Sequence, residues 1–202
     1  MMNGAPEVFV VDDDQSVRDA VDWLMGTVGI RTRGFAGAKE FLAACVPEMR
    51  GCAIIDLRMP EMGGLELQSE LRARNLNLQV IILTAHGDVS AAVRAMKNGA
   101  VDFIEKPFSN QLLIDTVQHA LSRAAVDGGE VPEERADISD MTPREREVLR
   151  LLVSGHTNKE VSRELGISVK TVEYHRANVM RKTDSTSLSD LVRKTAQVTL
   201  AT

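Results

Sequence analysis

Three adjacent carboxylates, Asp12, Asp13 and Asp14, follow the apolar run of "VFVVDDDQS" at residues 8 to 16. Each raises the cost of ionising the next, so the group needs a cation beside it. Further polar residues stand where other apolar runs stop: Asp56 after "CAII", Thr84 after "VIIL" and Lys106 directly after "VDFIE". Clustered acids are tolerable around a hard divalent cation, and Mg²⁺ favours one or two carboxylates completed by waters and phosphate oxygens. A carboxylate beside such an ion can attack a phosphoryl group, while a hydroxyl and an ammonium donate to the phosphoryl oxygens as charge moves. A single Asp at a strand end is more often a helix cap or turn residue. Asp14 reads that way, as the cap of a helix starting near Gln15.

The elements that must bring these residues together are short. The β-type runs "VFVV" (8–11), "RTRGF" (31–35), "CAIID" (52–56), "VIILT" (80–84) and "VDFIE" (101–105) are each followed by a segment with helical apolar spacing. Five such units in residues 1–125 predict an α/β domain with a doubly wound, five-stranded parallel sheet, whose ligands bind outside the carboxyl ends of the strands. The Gly-, Pro- and acid-rich "VDGGEVPEERADISD" (126–140) reads as a linker. Beyond it, residues 141–202 predict a small all-α module of four short helices. "TPRE" and "TNKE" are capping boxes, Pro143 suits a first helical position, Ser168 can cap the next helix, and Gly155 and Gly166 mark helix ends.

The chain has 202 residues, 44% of them hydrophobic, which is ordinary for a soluble protein. No run approaches the ~18 apolar residues of a membrane span, and the amino terminus lacks the basic-then-apolar order of a secretory signal, so a cytoplasmic protein with no membrane partner is expected. Cys45 and Cys52 form no CxxC pair and are read as small hydrophobes in a reducing compartment. The net charge of −5 divides unevenly: −5 over residues 1–127, −4 over 128–140 and +4 over 141–202. A basic tail module is a candidate for nucleic acid.

"TNKEVSRELGISVKTVEYHRANVMRK" has the order of a helix-turn-helix, a helix, a glycine turn and a second helix. At about 100° per residue, Val172, Arg176, Val179 and Met180 share one largely apolar face of the second helix. Lys170, Tyr174, Ala177, Asn178 and Arg181 lie opposite, with donors for phosphates and base edges and an aromatic for apolar contact.

The motifs "VVDDD", "IIDLRMPEMGG", "LTAHGD" and "DFIEKPF", in this order over residues 7 to about 125, resemble the flavodoxin-like receiver domain of two-component response regulators. The resemblance implies that Asp56 is the phosphoacceptor and that Asp13, Asp56 and the backbone carbonyl of Arg58 bind Mg²⁺. Asp12 would support the metal, largely through water. Thr84 and Lys106 would hold the phosphoryl oxygens, the Lys106-Pro107 bond would be cis, and Phe103 would be the switch aromatic. The tail is similar to the LuxR-type DNA-binding domain, and the pairing to the FixJ/NarL subfamily of transcriptional regulators. It departs from that pattern at Met141 in place of Leu, Ser162 in place of Ala, and Thr183-Asp184 near the end of the recognition helix.

On this reading the DNA contacts are Thr157, Asn158, Lys159, Lys170, Thr171, Tyr174, Asn178, Arg181 and Lys182, with Lys182 on phosphate. By resemblance the last helix serves dimerisation through Leu188, Leu191 and Val192. The implied partners are a sensor histidine kinase, double-stranded DNA half-sites, a second copy of the chain after phosphorylation and RNA polymerase. The protein would not be an enzyme beyond its own phosphotransfer and slow self-dephosphorylation. A competing parse takes "VFVVDDDQS" as the motif of a haloacid-dehalogenase-type Mg²⁺-dependent phosphohydrolase, with Asp12 as nucleophile and Asp14 as general acid. That parse leaves "DLRMPEMGG" unexplained. An RNA-binding output has no stacking aromatic beyond Tyr174.

Overall fold

Apolar runs rich in Val and Ile form five parallel strands, β1 (Glu7–Val11), β2 (Thr32–Phe35), β3 (Gly51–Asp56), β4 (Leu78–Thr84) and β5 (Asp102–Glu105), in the spatial order β2-β1-β3-β4-β5. The helices are α1 (Gln15–Gly26), α2 (Ala38–Ala44), α3 (Gly64–Ala73), α4 (Val89–Lys97), α5 (Asn110–Ala125), α6 (Pro143–Val153), α7 (Asn158–Leu165), α8 (Val169–Lys182) and α9 (Leu188–Thr195). This is a computed structural model, and it describes residues 7–85, 89–125 and 138–195. Most of the expected linker, residues 126–137, and His86–Asp88 of "LTAHGD" lie outside the described residues. The described elements fall into two compact units: the sheet with α1, α2, α3 and α5, and α4 with α6 to α9.

All five expected strands are present. β1 and β4 start earlier than their apolar runs, because the ladder continues through Glu7↔Gly51 and Gly51↔Leu78. Side chains alternate across the sheet. Val8, Val10, Cys52, Ile54, Ile81, Leu83 and Ile104 form one apolar layer with Val21, Leu24 and Met25 of α1 and Leu113, Val117 and Ala120 of α5. On β1 the alternate residue, Phe9, meets Phe35 and Phe41, with ring centroids 5.0–6.5 Å apart. A sheet buried on both faces explains why its strands read as continuous apolar runs.

In the helical unit the local start and stop signals act as the sequence predicts. Thr142 and Glu145 exchange capping bonds at α6, Thr157 and Glu160 do so at α7, and Ser168 accepts from the Thr171 amide at α8. Each such cap is worth about 1 kcal/mol. Gly166 ends α7 with φ +63°, the left-handed conformation that favours glycine. Ser162 explains itself: its hydroxyl donates to the Ile167 carbonyl (2.6 Å) while the Ile167 amide donates to the Ser162 carbonyl (3.1 Å), closing the turn before α8 twice. Thr183 is buried, and its hydroxyl donates back to the Val179 carbonyl (2.9 Å), so a polar residue is satisfied at the end of α8. Leu191 and Val192 are buried inside this unit, so much of the stripe read as a dimerisation surface is covered.

Phe41 is fully buried against two other rings. Phe41→Ala is expected to lower the urea-unfolding stability of the sheet unit by about 3–5 kcal/mol, the usual range for a truncated core aromatic; a loss under about 1 kcal/mol would show that the cluster relaxes around the deletion.

Candidate phosphoacceptor site and recognition helix

The strand order reverses at β1, which has β2 on one side and β3 on the other, and such a switch point opens a crevice at the carboxyl ends of the strands. Asp12 follows β1, Asp56 ends β3, Thr84 ends β4 and Lys106 follows β5. Residues spread over 94 positions meet there. The Lys106 ammonium donates to Asp12 Oδ2 and to Asp56 Oδ1, both at 2.9 Å. Asp12 is 3% exposed, Asp56 9% and Thr84 1%. The Lys106 amide also donates to the Thr84 carbonyl (2.6 Å), tying the ends of β4 and β5. Burial alone would lower the Lys106 pKa, but the hydrogen bonds and charges of Asp56 and Asp12 outweigh it and hold the ammonium above the ordinary lysine value.

The remaining oxygens are partly assigned. Asp12 Oδ1 accepts from the Asp14 amide (2.9 Å), and Asp56 Oδ2 accepts from the Arg58 amide (2.7 Å). Asp13 is exposed at the edge of the rim. Among the described residues no three His, Cys, Asp or Glu side chains are gathered into a cage; the cation between Asp12 and Asp56 is Lys106. Asp14 caps α1, accepting from the Ser16 hydroxyl (2.6 Å) and amide (2.8 Å), which hold its carboxyl below the usual aspartate range. Asp14 is therefore engaged as a cap, which removes the general acid of the phosphohydrolase parse. The Lys106-Pro107 peptide is cis, and Phe103 on β5 is half-buried.

"MPEMGG" has a packing reason that residue types alone did not reveal. A Cβ on Gly64 would lie 2.4 Å from the Asp56 carbonyl oxygen, so α3 can start this close to Asp56 only with glycine at that position.

On α8 the exposed face carries Lys170, Glu173, Tyr174, Ala177 and Arg181, and Tyr174 is 65% exposed. Its ring stands edge-on to that of His175, with centroids 5.5 Å apart. Lys159 is exposed at the start of α7. Other residues read as DNA contacts are occupied within the domain. Thr157 caps α7, the Thr171 hydroxyl pairs with Ser168 (2.8 Å), Asn158 accepts from Arg176 (3.2 Å), and Asn178 is half-buried. Lys182 is engaged as well: its ammonium donates to Glu145 (2.7 Å) and to the Asp140 carbonyl (2.8 Å), neutralising a buried acid of α6.

Comparison with known proteins bears on both units. Residues 8–118 match the response regulator receiver domain, and residues 139–195 match the luxR family of bacterial regulatory proteins. The chain is a two-component response regulator with a LuxR-type DNA-binding domain. It is 45% identical to the transcriptional regulatory protein FixJ of Azorhizobium caulinodans, over 92% of this chain and 90% of that one. It is 39% identical to nodulation protein W of Bradyrhizobium diazoefficiens, over 92% and 83%. Among solved structures, the response regulator StyR aligns over 96% of this chain and all of its own at 40% identity and a TM-score of 0.59. Full-length FixJ from B. japonicum aligns over 98% of both chains at 36% identity and a TM-score of 0.56. These matches support the doubly wound parallel receiver fold and the helical DNA-binding domain, and they leave the phosphohydrolase parse without support. Among the described residues, no helix of this response regulator is long and apolar enough to cross a membrane.

The bond from Lys182, followed by that from the Thr142 amide, holds the Glu145 carboxyl at about 2, well below its ordinary 4.5. A depressed acid stabilises the fold fully above about pH 4.5, and the contribution is lost as pH falls towards 2. Lys182→Ala leaves the buried carboxylate without its cation, so it is expected to destabilise the helical unit at pH 7 by about 1–3 kcal/mol. The penalty should shrink between pH 4.5 and 2. Urea unfolding followed by circular dichroism checks this; a penalty equal at pH 7 and pH 2 would contradict the pairing.

Proposed function

We propose that Asp56 of this response regulator accepts a phosphoryl group from the phosphohistidine of a sensor histidine kinase, and that the modified receiver promotes sequence-specific DNA binding by α8. The observation that carries this reading is the Lys106 ammonium within hydrogen-bond distance of both Asp12 and Asp56 at the switch point of the sheet. An Asp56 carboxylate oxygen attacks phosphorus, the P–N bond breaks, and its electron pair stays on the kinase imidazole, which takes up a proton. Lys106 and Thr84 then hold the phosphoryl oxygens. The group adds about −1.5 to −2 of charge beside the single ammonium, so Lys106 and Thr84 have reason to shift towards it. Phe103, half-buried on β5, is the aromatic that would follow.

The oxygen-only donors of this rim suit Mg²⁺, which takes one or two carboxylates and fills its remaining positions with water and carbonyl oxygens. Asp13, Asp56 and the Arg58 carbonyl would hold the ion, with Asp12 supporting it through water. Bound there, Mg²⁺ would neutralise charge on the acid cluster and on the transferring phosphoryl group. The chain's own phosphotransfer and slow dephosphorylation are then its only chemistry. We place the receiver at residues 1–125, the linker at 126–140 and the DNA-binding domain at 141–202, working in the cytoplasm. A phosphorylation-dependent homodimer would present two recognition helices to paired half-sites, where the second binds at high effective concentration. RNA polymerase is the partner expected of a regulator bound at a promoter.

Lys159, Lys170, Tyr174 and Arg181 are the DNA-facing side chains best supported by exposure, with Thr157, Asn158, Thr171 and Asn178 at the edges. Selection of bound sequences from random duplex DNA, with and without acetyl phosphate and Mg²⁺, tests the reading. Intact mass should show one phosphoryl adduct in the wild type and none in Asp56→Asn, and enrichment should rise with the adduct. Tyr174→Ala should change which sequences are recovered. An adduct that persists in Asp56→Asn would overturn the acceptor assignment, and an unchanged consensus in Tyr174→Ala would overturn the recognition face.

A further inference from the structure

The turn from β1 into α1 carries three carboxylates in a row, and part of what fixes its conformation is bonding to its main chain. Arg18, in the first turns of α1, donates from Nη1 to the Asp12 carbonyl (2.7 Å) and to the Asp13 carbonyl (3.2 Å). From within the turn, the Asp14 amide donates to Asp12 Oδ1. Asp12 is thus held at three points: its carbonyl by Arg18, one carboxylate oxygen by Asp14 and the other by Lys106. Asp22 could compete for the guanidinium, since both line a cavity of about 320 Å³ between α1 and β2. It accepts instead from the Thr32 hydroxyl.

The strand beside Arg18 leaves space for its arm. A Cβ placed on Gly34 would stand 3.5 Å from Arg18 Cδ, so a methyl is accommodated and a longer side chain must displace the arginine. A guanidinium suits the task because its donors are fixed in one plane and its charge is permanent, whereas a lysine ammonium is a point charge on a flexible stem. It also brings a second positive charge, besides Lys106, to the acid turn, offsetting repulsion among the carboxylates.

We propose that Arg18 is a positioning residue of the phosphoacceptor site. By gripping two consecutive carbonyls it holds the turn in the conformation that delivers the Asp12 carboxylate to Lys106 and leaves Asp13 at the open rim for Mg²⁺. This rests on the reading of the rim as an Mg²⁺-dependent phosphoacceptor site. Residues that orient metal ligands typically change metal affinity by about 10- to 100-fold when removed. Arg18 acts on the ligands' main chain, so the lower end of that range is expected.

The experiment is calorimetric titration of the full chain with MgCl₂, alongside urea unfolding in EDTA, for the wild type, Arg18→Gln, Arg18→Lys and Gly34→Leu. Arg18→Gln should raise the Mg²⁺ dissociation constant about tenfold. Arg18→Lys should recover part of the loss, and Gly34→Leu, which keeps the arginine but displaces it, should weaken Mg²⁺ in the same direction. The unfolding midpoint in EDTA reports the purely structural contribution. Variants that unfold earlier but bind Mg²⁺ as the wild type does would overturn the proposal and leave Arg18 a structural residue only. A wild type that takes up no Mg²⁺ would overturn the metal reading as well, and the two failures are told apart by the wild-type trace.

Discussion

One ammonium shared by two poorly solvated carboxylates is the interaction on which the rest of this structure depends. Asp12 and Asp56 close neighbouring strands, and without a cation between them their mutual repulsion would oppose the register that brings them together. Lys106 supplies that cation from the far side of β4, so its bonds connect the ends of β1, β3 and β5. Removing one partner of such a buried ion pair typically costs about 3–5 kcal/mol, because the others are left charged and unpaired. On the proposed reading the same arrangement would respond to a phosphoryl group on Asp56, because an Asp56 carboxylate oxygen already accepts from Lys106.

The helical unit solves a related problem with the opposite charge balance. Its basic surface is useful only if α8 is held in a fixed attitude, and two devices secure the ends of that helix. At its start, Ser162 closes the turn from α7 through both its hydroxyl and its main chain. At its end, Lys182 reaches the capping glutamate of α6. That bond engages one cation of α8, while Lys170 and Arg181 stand exposed on the same helix.

How much of this was legible in the sequence depended on the range of the interaction. The capping boxes at Thr142 and Thr157, the cap at Asp14 and the glycine stop at Gly166 are local, and each signal lies within four residues of its effect. The strand ends carrying Asp12, Asp56, Thr84 and Lys106 were legible because polar residues interrupt apolar runs there. The pairing of Lys182 with Glu145 was not legible because the two lie 37 residues apart, and only the crossing of α6 and α8 reveals the pair. Arg18 and Gly64 were missed for another reason: their partners are main-chain carbonyls, which leave no residue-type signature. Ser162 and Thr183 looked like departures from a pattern until their hydroxyls were seen to be satisfied by nearby carbonyls.

The central claim is that Lys106 stays charged because Asp12 and Asp56 hold it, and heteronuclear NMR of the Lys106 side chain measures this directly. Following its Cε and Nζ shifts against pH in the unphosphorylated protein should give a titration above the ordinary lysine value of 10.5. A titration at or below that value would mean that burial outweighs the two carboxylates, and the account of the site would fail.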